Sequence, residues 1–110
     1  MKKSVTLLFA GTVVLAGASL YAQQKGDAAK GKDVFDNNCS VCHNSDSDEA
    51  KIGPGLKGIS KKAKMSTADK KPTDANILQK VNEGGNGMPP YKDTLSDTEK
   101  TNLIAYLKSL

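Results

Sequence analysis

Both cysteines and the only histidine of this 110-residue chain lie within five consecutive positions, in the segment Cys39-Ser40-Val41-Cys42-His43. If the segment continues a helix, the two cysteines are three residues apart, and Cys39 and His43 are four apart. At about 3.6 residues per turn, all three side chains then project to the same side. Two thiols and an imidazole are thereby presented together to one flat ligand. The chain must then fold around that ligand.

The spacing C-x-x-C-H is the signature of c-type haem attachment. In that arrangement Cys39 and Cys42 form thioethers with the vinyl groups of the porphyrin, and His43 takes one axial position on the iron. A tetrahedral zinc site would need four ligands, and the chain has no second group of cysteines or histidines. A redox-active C-x-x-C would adjoin a βαβ pattern, which is absent. A structural disulfide would leave the adjacent histidine without a role.

The second axial ligand follows from a short inventory of residues. Because His43 is the only histidine, ligation by two histidines of one chain is excluded. Met88 lies in GNGMPPY, which is too rich in glycine and proline to be helical, so its side chain can approach iron from the opposite face. Met65 lies in a lysine-rich stretch, where a surface or gap-filling role is expected. Ligation by His43 and Met88 would raise the reduction potential of the iron and leave no open position for a substrate.

The N-terminal segment has the pattern of an export signal. Lys2 and Lys3 precede an uncharged apolar stretch, and small residues allow cleavage after Ala18 or after Ala22. An uncleaved membrane anchor over 4–22 is the alternative, since that stretch could just span a bilayer. The prediction is therefore a signal region over 1–22 and a folded domain over 23–110, in the periplasm or at the outer face of the cytoplasmic membrane.

The folded part, about 88 residues long, is small for a stable core without a metal, a disulfide or a cofactor. A covalently held haem would supply the missing part of that core. Outside the signal region, fourteen lysines against twelve acidic residues leave a net charge of +2, which is close to neutral. All basic residues are lysines and they are scattered, so nucleic-acid binding has no support.

Helical periodicity predicts an all-α fold of three to five short helices joined by long loops. Asp27 caps a first helix that runs to about Asn38, and Thr73 or Asp74 caps a later one. The strongest signal is the final helix, whose capping box begins at Ser96 and whose apolar residues recur with helical spacing to the end of the chain.

Two segments between the predicted helices have weaker patterns. Residues 44–60 contain several glycines and a proline and are predicted as loop. The lysine-rich stretch 61–71, KKAKMSTADKK, is predicted as a short helix that ends before Pro72.

With the attachment motif and these helices, the chain resembles the class I cytochromes c of the small bacterial kind over nearly all of residues 23–110. In that family the first and last helices cross, and a glycine and an aromatic residue of the first pack against an aliphatic and an aromatic residue of the last. The resemblance implies that Gly31 and Phe35 meet Leu103 and Tyr106.

The segment GPGLKG also resembles the family pattern after the haem motif. There a proline carbonyl accepts a hydrogen bond from the ring of the proximal histidine, and a leucine lines the haem pocket. By position these residues are Pro54 and Leu56, and such a hydrogen bond would fix the tautomer of His43.

The chain departs from the family at the haem propionates. Many relatives place a tryptophan and an arginine there, and this chain has neither. Lys61, Lys62, Lys64 and Tyr91 are the candidates that remain, and the sequence does not choose among them.

The resemblance implies an exported, monomeric carrier of single electrons with one haem c, its iron, and no enzymatic activity. Its partners would be redox proteins: a membrane oxidoreductase, a terminal oxidase or a periplasmic dehydrogenase. One alternative is an electron-accepting haem subunit of a periplasmic dehydrogenase complex. Another is a haem sensor or enzyme with a labile sixth ligand, which requires that Met88 not bind iron firmly.

Overall fold

A computed structural model describes Gly11, residues 25–66 and residues 69–110. The predicted signal region over 1–22 lies outside these residues, apart from Gly11. The described part contains three α-helices, α1 (Ala28–Asn38), α2 (Asp74–Glu83) and α3 (Asp97–Lys108), and one short 3-10 helix at Ile59–Lys61. The prediction of an all-α fold with short helices is confirmed. No helix in these described residues is long and apolar enough to cross a membrane.

Each α-helix begins at a residue that satisfies its free N–H groups. The carboxylate of Asp27 accepts hydrogen bonds from the backbone of α1 at 2.9 and 3.2 Å. The hydroxyl oxygen of Thr73 accepts one from the backbone of α2 at 3.2 Å, and that of Ser96 accepts one from Glu99 at 3.1 Å. A cap of this kind contributes about 1 kcal/mol to the stability of its helix, which explains why these residues mark the boundaries.

Helices α1 and α3 pack closely at Gly31. A Cβ added to Gly31 would collide with the backbone carbonyl of Asn102 and would stand 2.8 Å from the Cβ of Tyr106. Next to this contact, the rings of Phe35 and Tyr106 have centroids 5.5 Å apart at 56°. Phe35 and Leu103 are the two largest fully buried side chains of the described part, at 2% and 1% exposure. The first and last helices therefore meet as the family resemblance implies.

The prediction of a short helix over 61–71 is wrong, since no described residue of this stretch after Lys61 is helical. Lys61 ends the 3-10 helix, and the N–H of Met65 donates to the carbonyl of Lys70 at 2.9 Å, which closes a loop. Lysines at 61, 62, 64, 70 and 71 leave no apolar stripe, and like charges three or four residues apart disfavour a helix. Met65 itself is half-buried and packs against the core.

The buried core draws on every helix and on the loops between them. Its members are the buried apolar side chains Phe35, Ile59, Ile77, Val81, Leu95, Leu103 and Leu107. Four of these residues also line a large cleft, so the core is open on one side where the cleft enters it.

Candidate cofactor site

The attachment motif forms the first turn after α1. The N–H of Cys39 donates to the carbonyl of Phe35 at 2.7 Å, and the N–H of His43 donates to the carbonyl of Cys39 at 2.9 Å. The chain therefore keeps one more helix-like turn after Asn38. Both cysteines are half-buried, and both line the cleft together with His43.

The cleft encloses about 1170 Å³, including the space at its solvent-open mouth. Its floor is the open side of the core, at Ile59, Ile77, Val81 and Leu107. Among the described residues that line it, there is no aspartate or glutamate. The cleft therefore suits a mostly apolar ligand.

The ring of His43 is held in one orientation. Its Nδ1 lies 2.7 Å from the carbonyl oxygen of Pro54. Since a carbonyl can only accept, Nδ1 carries the proton, and the lone pair of Nε2 is left for a metal. A Cβ added to Gly53 would stand 2.5 Å from Cε1 of His43 and 2.9 Å from Nδ1, so the bare glycine backbone lies against the ring. Sequence reasoning missed Gly53, although it begins the quoted GPGLKG segment.

The loop that carries Pro54 and Leu56 is tied back to the attachment motif. The N–H of Gly53 donates to the carbonyl of Cys42, and the N–H of Leu56 donates to the carbonyl of Asn44, both at 2.8 Å. Leu56 is half-buried, packs against the core and lines the cleft. The structure thus places the carbonyl of Pro54 at the ring of His43 and Leu56 on the wall of the cleft.

Met88 lies in the same cleft, at the end of a tight turn. Gly85 and Met88 exchange backbone hydrogen bonds of 2.9 and 3.1 Å, and Asn86 and Gly87 between them have φ values of 54° and 88°. Positive φ at both central residues defines a type I′ turn, for which Asn-Gly is the preferred sequence. The turn makes Met88 part of the cleft wall.

Tyr91 fastens the segment after Met88 to the rest of the molecule. Its N–H donates to the carbonyl of Val81, and its hydroxyl donates to the carbonyl of Asn38, both at 2.9 Å. Asn38 immediately precedes the attachment motif, so one side chain links the methionine loop to the motif. Burial raises the pKa of Tyr91.

The environment of Cys39 disfavours a thiolate. Burial, with a smaller effect from Cys42, raises the pKa of Cys39 to about 11. A redox-active C-x-x-C motif works through a thiolate whose pKa is lowered, which is the opposite shift. The electrostatics of the free thiols therefore disfavour the dithiol–disulfide interpretation.

The lysines considered for the propionates do not line the cleft. Lys62 pairs with Asp48 at 2.6 Å, and Lys64 faces Asp69 at 3.5 Å. The contact with Lys62 lowers the pKa of Asp48. Tyr91 does line the cleft, but its hydroxyl already donates to Asn38. A different lysine, Lys80 of α2, is among the lining residues, and sequence reasoning missed it.

These residues fit a c-type haem. The fit rests on two thiols at helical spacing, an imidazole with a free Nε2, and a methionine thioether, all lining one apolar cleft.

Comparison with known proteins assigns the same class. Residues 26–107 match the family model described as cytochrome c oxidase, cbb3-type, subunit III. The chain is 32% identical to cytochrome c6 of Synechocystis sp., over 92% of this chain and 78% of that one. It is 34% identical to cytochrome c-554(547) of Halothiobacillus neapolitanus, over 77% of this chain and 98% of that one. A solved structure of cytochrome c6 from the diatom Phaeodactylum tricornutum is 28% identical, covers 76% of this chain and 93% of that chain, and superposes with a TM-score of 0.60.

The chain therefore belongs to the cytochrome c family. Within that family its architecture and motif are those of a class I monohaem cytochrome c. Its cofactor is haem c, and it is an electron-transfer protein and not an enzyme.

Proposed function

We propose that the protein is an exported carrier of single electrons whose haem iron is ligated by His43 and Met88. In this proposal Cys39 and Cys42 hold the haem through thioether bonds. The observation that supports it best is that both thiols, the oriented imidazole and the methionine thioether line one cleft. A carrier needs both axial positions filled, and in this proposal the nitrogen of His43 and the sulfur of Met88 fill them.

Bound haem supplies a one-electron exchange between ferric and ferrous iron. The residues of this chain set how readily that exchange occurs. The Pro54 carbonyl holds the Nδ1 proton of His43 and makes Nε2 a better donor to iron. The thioether of Met88 favours the ferrous state of the iron. Apolar walls that exclude water favour it too, because reduction lowers the charge on the iron. Together these residues would hold the haem so that it could exchange an electron without a change of protein ligand.

Two large apolar side chains mark where a redox partner would dock. Val41, within the attachment motif, is 74% exposed, and Ile52, which lines the cleft, is 77% exposed. They are the exposed large hydrophobic residues of the described part. A partner redox protein that covers them would approach the cofactor closely, and so few exposed apolar side chains suit brief, weak association.

The proposal places residues 1–22 as a signal region and residues 23–110 as the cytochrome domain in the periplasm. The mass of the exported protein tests this directly. A mass equal to the chain cut after Ala18 or Ala22 plus one haem is the expected result. A full-length mass would identify an uncleaved membrane anchor, and a mass without haem would refute covalent attachment.

The visible spectrum of the exported ferric protein tests the axial ligands. We expect the weak far-red band of a sulfur–ferric-iron bond, and we expect Met88→Ala to abolish it. Met65→Ala is the matched control, since Met65 also lines the cleft, and it should keep the band. A wild-type protein that lacks the band and readily binds small ligands such as cyanide would instead be a sensor or an enzyme with an open sixth site. Stable co-purification with a large catalytic chain would favour a dehydrogenase subunit.

A further inference from the structure

The cleft contains one charged side chain whose role the site described above leaves unexplained. Among the described residues that line it, Lys80 is the only lysine, and no aspartate or glutamate accompanies it. The walls of the cleft are mostly apolar, so a charge at its edge is screened less than a charge surrounded by solvent on every side. Lys80 is therefore placed to influence whatever the cleft binds.

The ammonium group of Lys80 is held in position by the end of its own helix. Its Nζ donates to the carbonyls of Gly84 and Gly85, each at 3.2 Å, where α2 ends. Carbonyls at a helix C-terminus bear partial negative charge and stabilise a cation. In the described part of the chain, Lys80 has no carboxylate within ion-pair distance, unlike the surface lysines Lys62 and Lys64. Its positive charge is consequently not neutralised within the protein.

The same carbonyls begin the turn that presents Met88. Gly85 pairs with Met88 through two backbone hydrogen bonds, so the Lys80 ammonium stands beside the base of the turn that carries the proposed ligand. The charge is thus fixed near one end of the haem site and does not move freely on a long side chain.

We propose that Lys80 raises the reduction potential of the haem by supplying the positive charge of the cleft. This inference rests on the haem site proposed above. When an external donor gives one electron to ferric iron, the site loses one unit of positive charge, and a fixed cation stabilises the product of that step. The haem propionates add negative charge that opposes the reduction, and the ammonium of Lys80 offsets part of it. Lys80 acts on the iron through space, as a residue that sets its potential and not as a ligand.

The test is a spectroelectrochemical titration of the holoprotein and three lysine variants. Lys80→Gln removes the charge but keeps a hydrogen-bond donor for the glycine carbonyls, and Lys80→Arg keeps both. Lys70→Gln is the matched control, because Lys70 is exposed, donates to Gln79 at 3.0 Å and does not line the cleft. At a fixed applied potential we expect Lys80→Gln to lower the ratio of ferrous to ferric protein about threefold. At about 59 mV per tenfold for one electron, this is a fall of about 28 mV. Lys80→Arg and Lys70→Gln should stay within a third of that shift.

The far-red band of each variant separates an electrostatic role from a structural one. If Lys80→Gln keeps the band and has the same potential as Lys70→Gln, the inference is wrong. If Lys80→Gln loses the band, the ammonium serves to hold the Met88 turn, and the inference is equally wrong. A wild-type protein without covalent haem would refute the proposed function itself, and this result is seen before any variant is compared.

Discussion

Replacing Gly31 with alanine tests the packing of α1 against α3. In a helix interior alanine is normally about 0.5–1 kcal/mol better than glycine, so the substitution would stabilise an isolated helix. At Gly31 the added methyl group would collide with the carbonyl of Asn102, stand 2.5 Å from its carbon, and lie 2.8 Å from the Cβ of Tyr106. The obstacle is mostly backbone, which cannot rotate away as a flexible side chain can.

The expected cost follows from the distance that the helices must move. Carbon atoms reach ordinary contact at about 3.5 Å, so α1 and α3 must separate by about 1 Å. Overpacking of this size costs about 3 kcal/mol, at the upper end of the usual range, because Phe35 and Leu103 lose close contact when the helices part. After the gain in helix propensity is subtracted, we expect a net destabilisation of about 2 kcal/mol.

Urea denaturation of the holoprotein, followed by far-ultraviolet circular dichroism, measures this cost. With an m-value of about 2 kcal/mol/M, the midpoint should fall by about 1 M. Asn37→Ala, at an exposed position of the same helix, is the control and should change the free energy of unfolding by less than about 0.5 kcal/mol. A Gly31→Ala protein as stable as the wild type, or more stable, would refute the close-crossing argument.

Two further changes test the residues around the cleft. Gly53→Ala should displace the ring of His43 and weaken its 2.7 Å hydrogen bond to Pro54. A less basic imidazole stabilises ferric iron less, so the reduction potential of the haem should rise. A potential equal to or below that of the wild type would contradict this prediction. Tyr91→Phe should cost about 1 kcal/mol at pH 7 by removing the hydrogen bond to Asn38, as measured by urea titration. The pKa of Tyr91 is higher in the folded protein than in the unfolded chain. The neutral phenol therefore contributes its full stabilisation below about pH 10, the pKa of an unfolded tyrosine. This contribution is lost as the pH rises through the pKa of Tyr91 in the folded protein. The difference between wild type and Tyr91→Phe should therefore shrink at strongly alkaline pH, and a constant difference would show that the phenol proton plays no part.

The parts of the fold that the sequence predicted correctly are those determined by local rules. Asp27 and Ser96 satisfy free N–H groups within their own helices, so their capping roles depend on neighbours in sequence and not on the tertiary fold. The five-residue spacing of the attachment motif brings Cys39, Cys42 and His43 to one cleft for the same reason.

The residues that the sequence did not reveal depend on how separate elements pack. The side of α2 that faces the cleft is set by its packing in the core, so nothing near Lys80 in the sequence distinguishes it from the other lysines. The role of Gly53 also depends on packing. Its backbone lies against the ring of His43, ten residues earlier in the chain, and only the structure shows this contact. The helix predicted over 61–71 was wrong for a different reason. Its residues have fair helix propensity, but they lack the apolar stripe that would hold a helix against the core.

The cleft also explains how so short a chain can fold around a large ligand. Four residues belong to the buried core and also form the cleft floor: Ile59, Ile77, Val81 and Leu107. A larger protein would cover this apolar face with another helix, whereas here the face is left for the cofactor. A haem held only by that face would depend on the full strength of a small core. Thioether bonds from Cys39 and Cys42 remove that dependence, because a tethered haem returns to the cleft at a high effective concentration after each local opening. On this argument the covalent motif stabilises the fold as well as the redox site, and the five-residue segment constrains both.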